Sequence, residues 1–179
     1  MLWLTGLSGA GKSTLAIRVE QELFQRGYVV YALNGDNVRL GLNDNLGFSP
    51  EDRTENVRRV GEVAALFADA GLVCVTSFIS PYQTDRDRAR AAAAAGGQPF
   101  HEVYVKADLA VCEQRDPKGL YRRARNDEIA NFTGISSPYE PRSAAELIIE
   151  TDKMGVEACV AKIVNYVEHH FRLLDRAPI

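Results

Sequence analysis

The segment Gly6-Leu-Ser-Gly-Ala-Gly-Lys-Ser13, entered directly from the apolar run Met1-Leu-Trp-Leu-Thr5, constrains this chain more than any other feature. It satisfies G-x-x-x-x-G-K-[ST], the phosphate-binding P-loop pattern, in the strand-before, helix-after context the pattern requires. Gly6, Gly9 and Gly11 let the backbone curl until successive N–H groups face phosphate oxygens, with Leu7, Ser8, Ala10 and Thr14 completing the wrap. A helix expected from Lys12 to Arg26 adds its unpaired donors and positive end. Lys12 supplies a point charge for the β- and γ-phosphates, and the Ser13 hydroxyl is a ready Mg²⁺ ligand. Nucleotide binding is the expectation, with Mg²⁺ as the cofactor at the phosphates.

Strand and helix signals alternate along the rest of the chain. Tyr28–Leu33, Leu72–Ser77, His101–Lys106 and Ala145–Glu150 read as buried strands, rich in β-branched and aromatic residues. A short helix is expected over Val38–Leu40. Ser49-Pro-Glu-Asp52 carries an N-cap, a first-turn proline and acids, and opens a helix reaching Ala70. Gln83–Ala95, a segment from Asp108, and Val156–Leu174 supply further helices. The pattern predicts an α/β fold of the P-loop NTPase type in three layers. Five parallel strands carry helices on both faces, joined by right-handed crossovers, with a lid segment over residues 116–140. The 179 residues suit one domain over 1–179, long enough to bury about 70% of the unfolded surface.

A net charge of −3 argues against nucleic acid as a partner, since such surfaces carry a basic excess. Cys74, Cys112 and Cys159 are far apart and odd in number, which suggests neither a disulfide framework nor a zinc site. No apolar run is long enough to cross a bilayer, and the first strand leaves no room for a leader, so the expectation is a cytoplasmic protein with no membrane partner.

Active groups in parallel sheets gather beyond the carboxyl ends of the strands. That rule selects Gly6–Ser13, Asn34–Arg39, Ser77–Ser80 and Lys106–Asp108. Asp36 leads as a catalytic group, placed to accept a proton from an attacking hydroxyl or to hold water on Mg²⁺. The plainer alternative is a turn aspartate bonding its own backbone. No acid ends the third strand at Val75-Thr-Ser77, which disfavours motor and switch ATPases and favours small-molecule kinases. Arg39, Arg53, Arg58 and Arg59 surround the first long loop with Asn56 among them. Arg53 and Asn56 share a helix face and suit an oxyanion, while ordinary pairing with Glu51 and Glu55 would serve equally well. Four cations in Lys118–Arg125 suit a closing lid or a solvated basic helix. Trp3 and the three histidines read as structural.

Further segments go beyond a generic kinase. Gly35-Asp-Asn-Val-Arg39, Gly41-Leu-Asn43, Leu46-Gly-Phe-Ser49, Glu51-Asp-Arg53, Glu55-Asn56 and Arg58-Arg59 occur in order with the P-loop. Ile79-Ser-Pro81, Lys118-Gly-Leu-Tyr121, Asn131-Phe-Thr-Gly-Ile135 and Pro138-Tyr-Glu140 follow. The ordered set resembles the adenylylsulfate kinases from Leu2 to the last helix. The resemblance implies transfer of the ATP γ-phosphate to the 3′-hydroxyl of adenosine 5′-phosphosulfate (APS), giving 3′-phosphoadenosine 5′-phosphosulfate and ADP.

By position, the resemblance implies that Asp36 orients or deprotonates that hydroxyl, while Arg39, Arg53 and Asn56 hold the phosphosulfate. It implies that Phe48 and Phe132 sandwich the substrate adenine, that Ile79, Ser80, Lys118 and Leu120 are substrate-side positions, and that Arg115 contacts the ATP adenine. Ser80 matches a serine described in the family as a phosphoserine intermediate, although no general base lies beside it in sequence. A homodimer is the implied assembly, and fusion to or association with ATP sulfurylase the implied wider context, with this domain then one part of a longer chain. The lid reads Arg125-Asn-Asp-Glu128 where relatives carry a small Ala-Gly pair before Glu, which implies a stiffer hinge. A nucleoside or gluconate kinase, and a regulatory nucleotide-binding domain, stand as the alternative readings.

Overall fold

Strand β1 (Leu2–Thr5) is buried along its whole length and lies at the centre of a five-stranded sheet of order β2-β3-β1-β4-β5. The computed structural model describes residues 1–171. The remaining strands are β2 (Val30–Asn34), β3 (Val73–Ser77), β4 (His101–Lys106) and β5 (Leu147–Glu150), and every neighbouring pair is parallel. Leu2 stands opposite Val75 on one side and His101 on the other, which fixes the register of the central three strands.

Alternation along β1 divides the core in two. Leu2 and Leu4 face one cluster, with Leu15, Val19 and Leu23 of α1 (Lys12–Gln25) and Val160, Ile163 and Val167 of α7 (Val156–His170). Met1 and Trp3 face the other, with Val57, Val60 and Ala64 of α3 (Pro50–Asp69) and Ala89 and Ala93 of α4 (Gln83–Ala95). A sheet buried on both faces needs this near-continuous apolar patterning, and helices α1 and α7 therefore cover one face while α3 and α4 cover the other. The expected three layers are present. Among the described residues no helix is long and apolar enough to cross a membrane.

Boundaries moved where side chains were needed elsewhere. The strand expected from Tyr28 begins at Val30, because Tyr28 folds into the first core cluster and its hydroxyl donates to Phe171 O. The strand expected from Ala145 begins at Leu147, because the Glu146 carboxylate turns back to accept from Glu102 N and from Arg90. The short helix α2 is Gly35–Val38 rather than Val38–Leu40. Asn34 explains the shift, since its Oδ1 accepts from both Asp36 N and Asn37 N and caps the helix early. Helix α3 starts from Ser49 Oγ accepting Asp52 N, as its sequence predicted. Helices α5 (Leu109–Arg115) and α6 (Leu120–Arg125) lie between β4 and β5. The expected end of the last helix at Leu174 lies outside the described residues.

Candidate active site

The loop between β1 and α1 is held by contacts that leave no room for side chains. A Cβ on Gly6 would stand 2.3 Å from Val105 O, and one on Gly9 would stand 2.8 Å from Cys112 O, with both glycines at positive φ. Only glycine fits at either position. Lys12 folds back to donate to Leu7 O at 2.7 Å and is 7% exposed. Burial lowers its ammonium pKa from 10.5 to about 8. Lys12 is thus folded onto the backbone of its own loop, with its charge disfavoured by burial.

Ser13 Oγ lies 3.2 Å from Ser77 Oγ at the end of β3. This is the strand whose end carries no acid, so the serine that suits Mg²⁺ meets a hydroxyl. Such a donor set fits a cation held chiefly by nucleotide phosphates, with one protein oxygen and water completing the shell.

At the end of β2, Asn34 makes the Asx turn, so the alternative reading of Asp36 as a backbone-bonded turn residue does not hold. The Asp36 carboxylate points outward and receives Lys118 Nζ at 3.0 Å to each oxygen. Lys118 precedes α6, whose first turn is capped by the Asp116 carboxylate accepting from Tyr121 N and Arg122 N. Tyr121 OH donates to Ser8 O at 2.9 Å, tying the same helix to the P-loop. Arg123 and Arg125 pair with Glu128 and Glu113, so two of the four cations of this basic stretch are engaged locally.

The arginines around the first long loop divide. Arg58 and Arg59 both pair with Glu55, whose carboxyl they hold down to about 2, as the plainer reading expected. Arg39 donates to Leu46 O and Gly47 O and lies over the Phe48 ring at 4.3 Å. Arg53 reaches across to the segment after α6, donating to Thr133 Oγ1 at 3.0 Å and Asn131 O at 2.5 Å. Asn56 Oδ1 accepts from the buried Asn43 at 2.9 Å. Arg53 and Asn56 thus share a helix but not a partner.

The two predicted stacking rings lie in different environments. Phe48 is 66% exposed, whereas Phe132 is 6% exposed and packs edge-on against Tyr121. An open cleft of about 610 Å³ lies between Leu7, Tyr104, Gly134, Tyr139 and Pro141, and neither ring lines it. Leu120 packs partly buried against the first core cluster, and Ile79 is partly buried, its carbonyl accepting from Thr5 Oγ1 at 2.7 Å.

Ser80 is buried in the left-handed region, with φ of 39°. Its Oγ accepts from Trp3 Nε1 at 3.0 Å and donates to Thr5 Oγ1 at 3.0 Å. Trp3 is core, as expected, but its indole N–H serves this site. Lys106, selected by the strand-end rule, pairs with Glu150 across the β4–β5 ladder.

The sequence reading passed over Thr151. Its hydroxyl donates to Ala10 O at 2.8 Å, and Arg115 donates to Thr151 O at 2.6 Å and Thr151 Oγ1 at 3.1 Å. Arg115 also reaches Gly9 O at 3.4 Å. The strand-end rule would have found Thr151 had it been applied to the fifth strand as well as to the other four.

The family model for adenylylsulphate kinase matches residues 1–150. The adenylyl-sulfate kinase of Clostridium acetobutylicum is 55% identical over 95% of this chain and 84% of its own length. That of Geotalea uraniireducens is 58% identical over 94% and 80%. The structure of Mycobacterium tuberculosis APS kinase in complex with AMPPNP and APS superposes with a TM-score of 0.90 at 44% identity, covering 93% of this chain and 96% of that one.

Proposed function

Since the chain belongs to the adenylylsulphate kinase family, we propose that its site transfers the γ-phosphate of ATP to the 3′-hydroxyl of adenosine 5′-phosphosulfate. The products are 3′-phosphoadenosine 5′-phosphosulfate and ADP. One observation carries the reading: an outward carboxylate, Asp36, stands at the carboxyl end of β2, on the sheet edge from which the P-loop springs, and is met by Lys118 from the lid. That pairing brings a proton acceptor and a mobile cation to the place where an acceptor hydroxyl would meet the γ-phosphate.

In the reaction, the 3′-oxygen forms a bond to the γ-phosphorus while the bond to the β,γ-bridging oxygen breaks. ADP takes that electron pair, and the hydroxyl proton passes to Asp36. Lys12 and the P-loop N–H groups hold the phosphates as charge shifts toward the leaving oxygen. Mg²⁺, held by Ser13 and the phosphates, would neutralise part of that charge. Arg39 and Arg53 each spend two of five guanidinium N–H groups on carbonyl or hydroxyl oxygens, which leaves donors for the phosphosulfate.

Phe48, exposed but with Arg39 over its ring, would cover the acceptor adenine, and lid movement would have to expose Phe132 for the pair to close on it. Ile79, Ser80 and Leu120 would then border the acceptor, and Arg115 the donor base. Ser80 Oγ spends its one proton on Thr5 Oγ1, a hydroxyl rather than a base, which favours direct transfer over a phosphoserine.

The same reading takes the chain as one kinase domain with a lid over about 116–140, in a reducing, cytoplasmic setting suited to three unpaired buried thiols. A homodimer fits the exposed Val29 and Tyr31 at the start of the edge strand β2. The deciding experiment measures ADP release from Mg-ATP with and without micromolar APS, with chromatographic identification of the nucleotide product. Strong stimulation and a 3′-phosphorylated product are expected. ATP binding without stimulation by APS would overturn the assignment.

A further inference from the structure

Arg86 is a charged side chain on the alanine-rich helix α4 with no exposure at all. Its Nε donates to Glu102 Oε1 at 3.1 Å, and Glu102 is equally buried. The other oxygen of Glu102 accepts from Arg142 Nε at 3.0 Å, and Arg142 continues to Asp87. An arginine pair of this kind gains little stability over apolar residues of the same volume, because desolvation offsets the attraction. The two remaining contacts of Arg86 say what the charge does there.

Nη1 donates to Ser80 O at 2.7 Å and Nη2 to Glu140 O at 2.6 Å. The first carbonyl belongs to the non-glycine residue held at φ 39°, in the segment that leaves β3 beside the P-loop. The second belongs to the end of the lid, where Glu140 N donates to Pro81 O and Glu140 Oε2 accepts from Gln83 N. One rigid guanidinium fork therefore fixes the substrate-side segment and the lid's return to each other. The fork geometry is specific to arginine, because a lysine ammonium is a single point and cannot span both carbonyls and the carboxylate.

We infer that Arg86 is a positioning residue: seated on Glu102, it holds Ile79-Ser80 in the conformation that receives the acceptor nucleotide and anchors the lid at Glu140. The inference rests on the acceptor assignment made above. It predicts a selective effect, because the P-loop is held by contacts that do not include Arg86.

The test uses Arg86→Lys and the paired variant Arg86→Met/Glu102→Leu, which removes both charges and so leaves no unpaired buried carboxylate. Two readouts are taken. The chain has a single tryptophan, and its indole N–H is bonded to Ser80 Oγ, so one NMR resonance reports the Ser80 segment without any substrate. Steady-state KM values for APS and ATP report the site. In both variants the indole resonance should move and exchange with solvent faster, and KM for APS should rise roughly tenfold or more while KM for ATP stays within about twofold, as loss of a positioning contact requires. An unmoved indole signal with unchanged KM values would overturn the inference, as would an equal rise in both KM values. Should APS prove not to be the acceptor, the wild type would be inert with it while the indole signal still decided whether Arg86 sets Ser80.

Discussion

Lys118 Nζ lies 3.0 Å from both carboxylate oxygens of Asp36, joining two exposed groups 82 residues apart in the chain. An exposed ion pair adds little to stability, so the contact matters for where the lid sits. Asp36→Asn keeps the shape and removes the proton acceptor. Its turnover should fall by about two to four orders of magnitude, the range associated with positioned general bases, with ATP affinity and melting temperature unchanged. Retained turnover would reduce Asp36 to a lid contact.

Lys12 gives a pH signature. Its folded-state pKa of about 8 lies below the ordinary 10.5 because burial disfavours the charge. Between these values the unfolded chain binds more protons, so this group makes stability rise with pH across that window and contributes no slope below it. Phosphates should restore the charge, so ATP binding near pH 8.5 should take up a proton. Calorimetry in buffers of different ionisation enthalpy measures that uptake in the wild type, and Lys12→Met should abolish both the uptake and the turnover.

Ser80→Ala separates two mechanisms. Loss of the bonds to Trp3 and Thr5 should cost about 1–3 kcal/mol of stability, as for other buried groups left unpaired. Substantial phosphoryl transfer should survive. Complete inactivity in a folded Ser80→Ala protein would restore the phosphoserine.

Thr151→Val removes the hydroxyl that holds Ala10 O while keeping the volume. The expected result is a several-fold higher KM for ATP with KM for APS unaltered, measured by initial rates. Equal KM values in variant and wild type would make the Thr151 contact incidental to donor binding.

Asp127 occupies the left-handed region, with φ of 58°, between α6 and β5. The backbone there suits glycine, and aspartate tolerates it at modest cost. Asp127→Ala should destabilise by about 1 kcal/mol, and Asp127→Gly should match or exceed the wild type because it relieves that strain. Chemical denaturation reads both, and a stable alanine variant would remove the strain argument.

Much of this was legible in the chain because the determinants are local. The P-loop glycines, the Ser49 cap and the apolar alternation of β1 act within a few residues of themselves, and they place the sheet, its helices and the donor site. What escaped depended on distant partners. Sequence could not show that Lys118 reaches Asp36, that Arg53 crosses to Asn131 and Thr133, or that Phe132 packs on Tyr121. Nor could it show that Arg86, in an alanine-rich helix, spends its charge inside the protein on Glu102, Ser80 and Glu140. Glu146 illustrates the same limit, since a strand-like sequence lost its first two residues where the Glu146 carboxylate is needed by Glu102 N and Arg90.

The strand order sets how the molecule should breathe. The P-loop springs from β1, hydrogen-bonded on both sides and sealed between two helical layers, whereas Asp36 and Thr151 follow the outermost strands, β2 and β5. Amide hydrogen exchange should therefore trace a gradient across the sheet, slowest at Leu2–Leu4 and quickening toward both rims. The donor cradle would share the lifetime of the whole fold, while the groups expected to meet the acceptor and flank the nucleotide open through smaller, more frequent fluctuations.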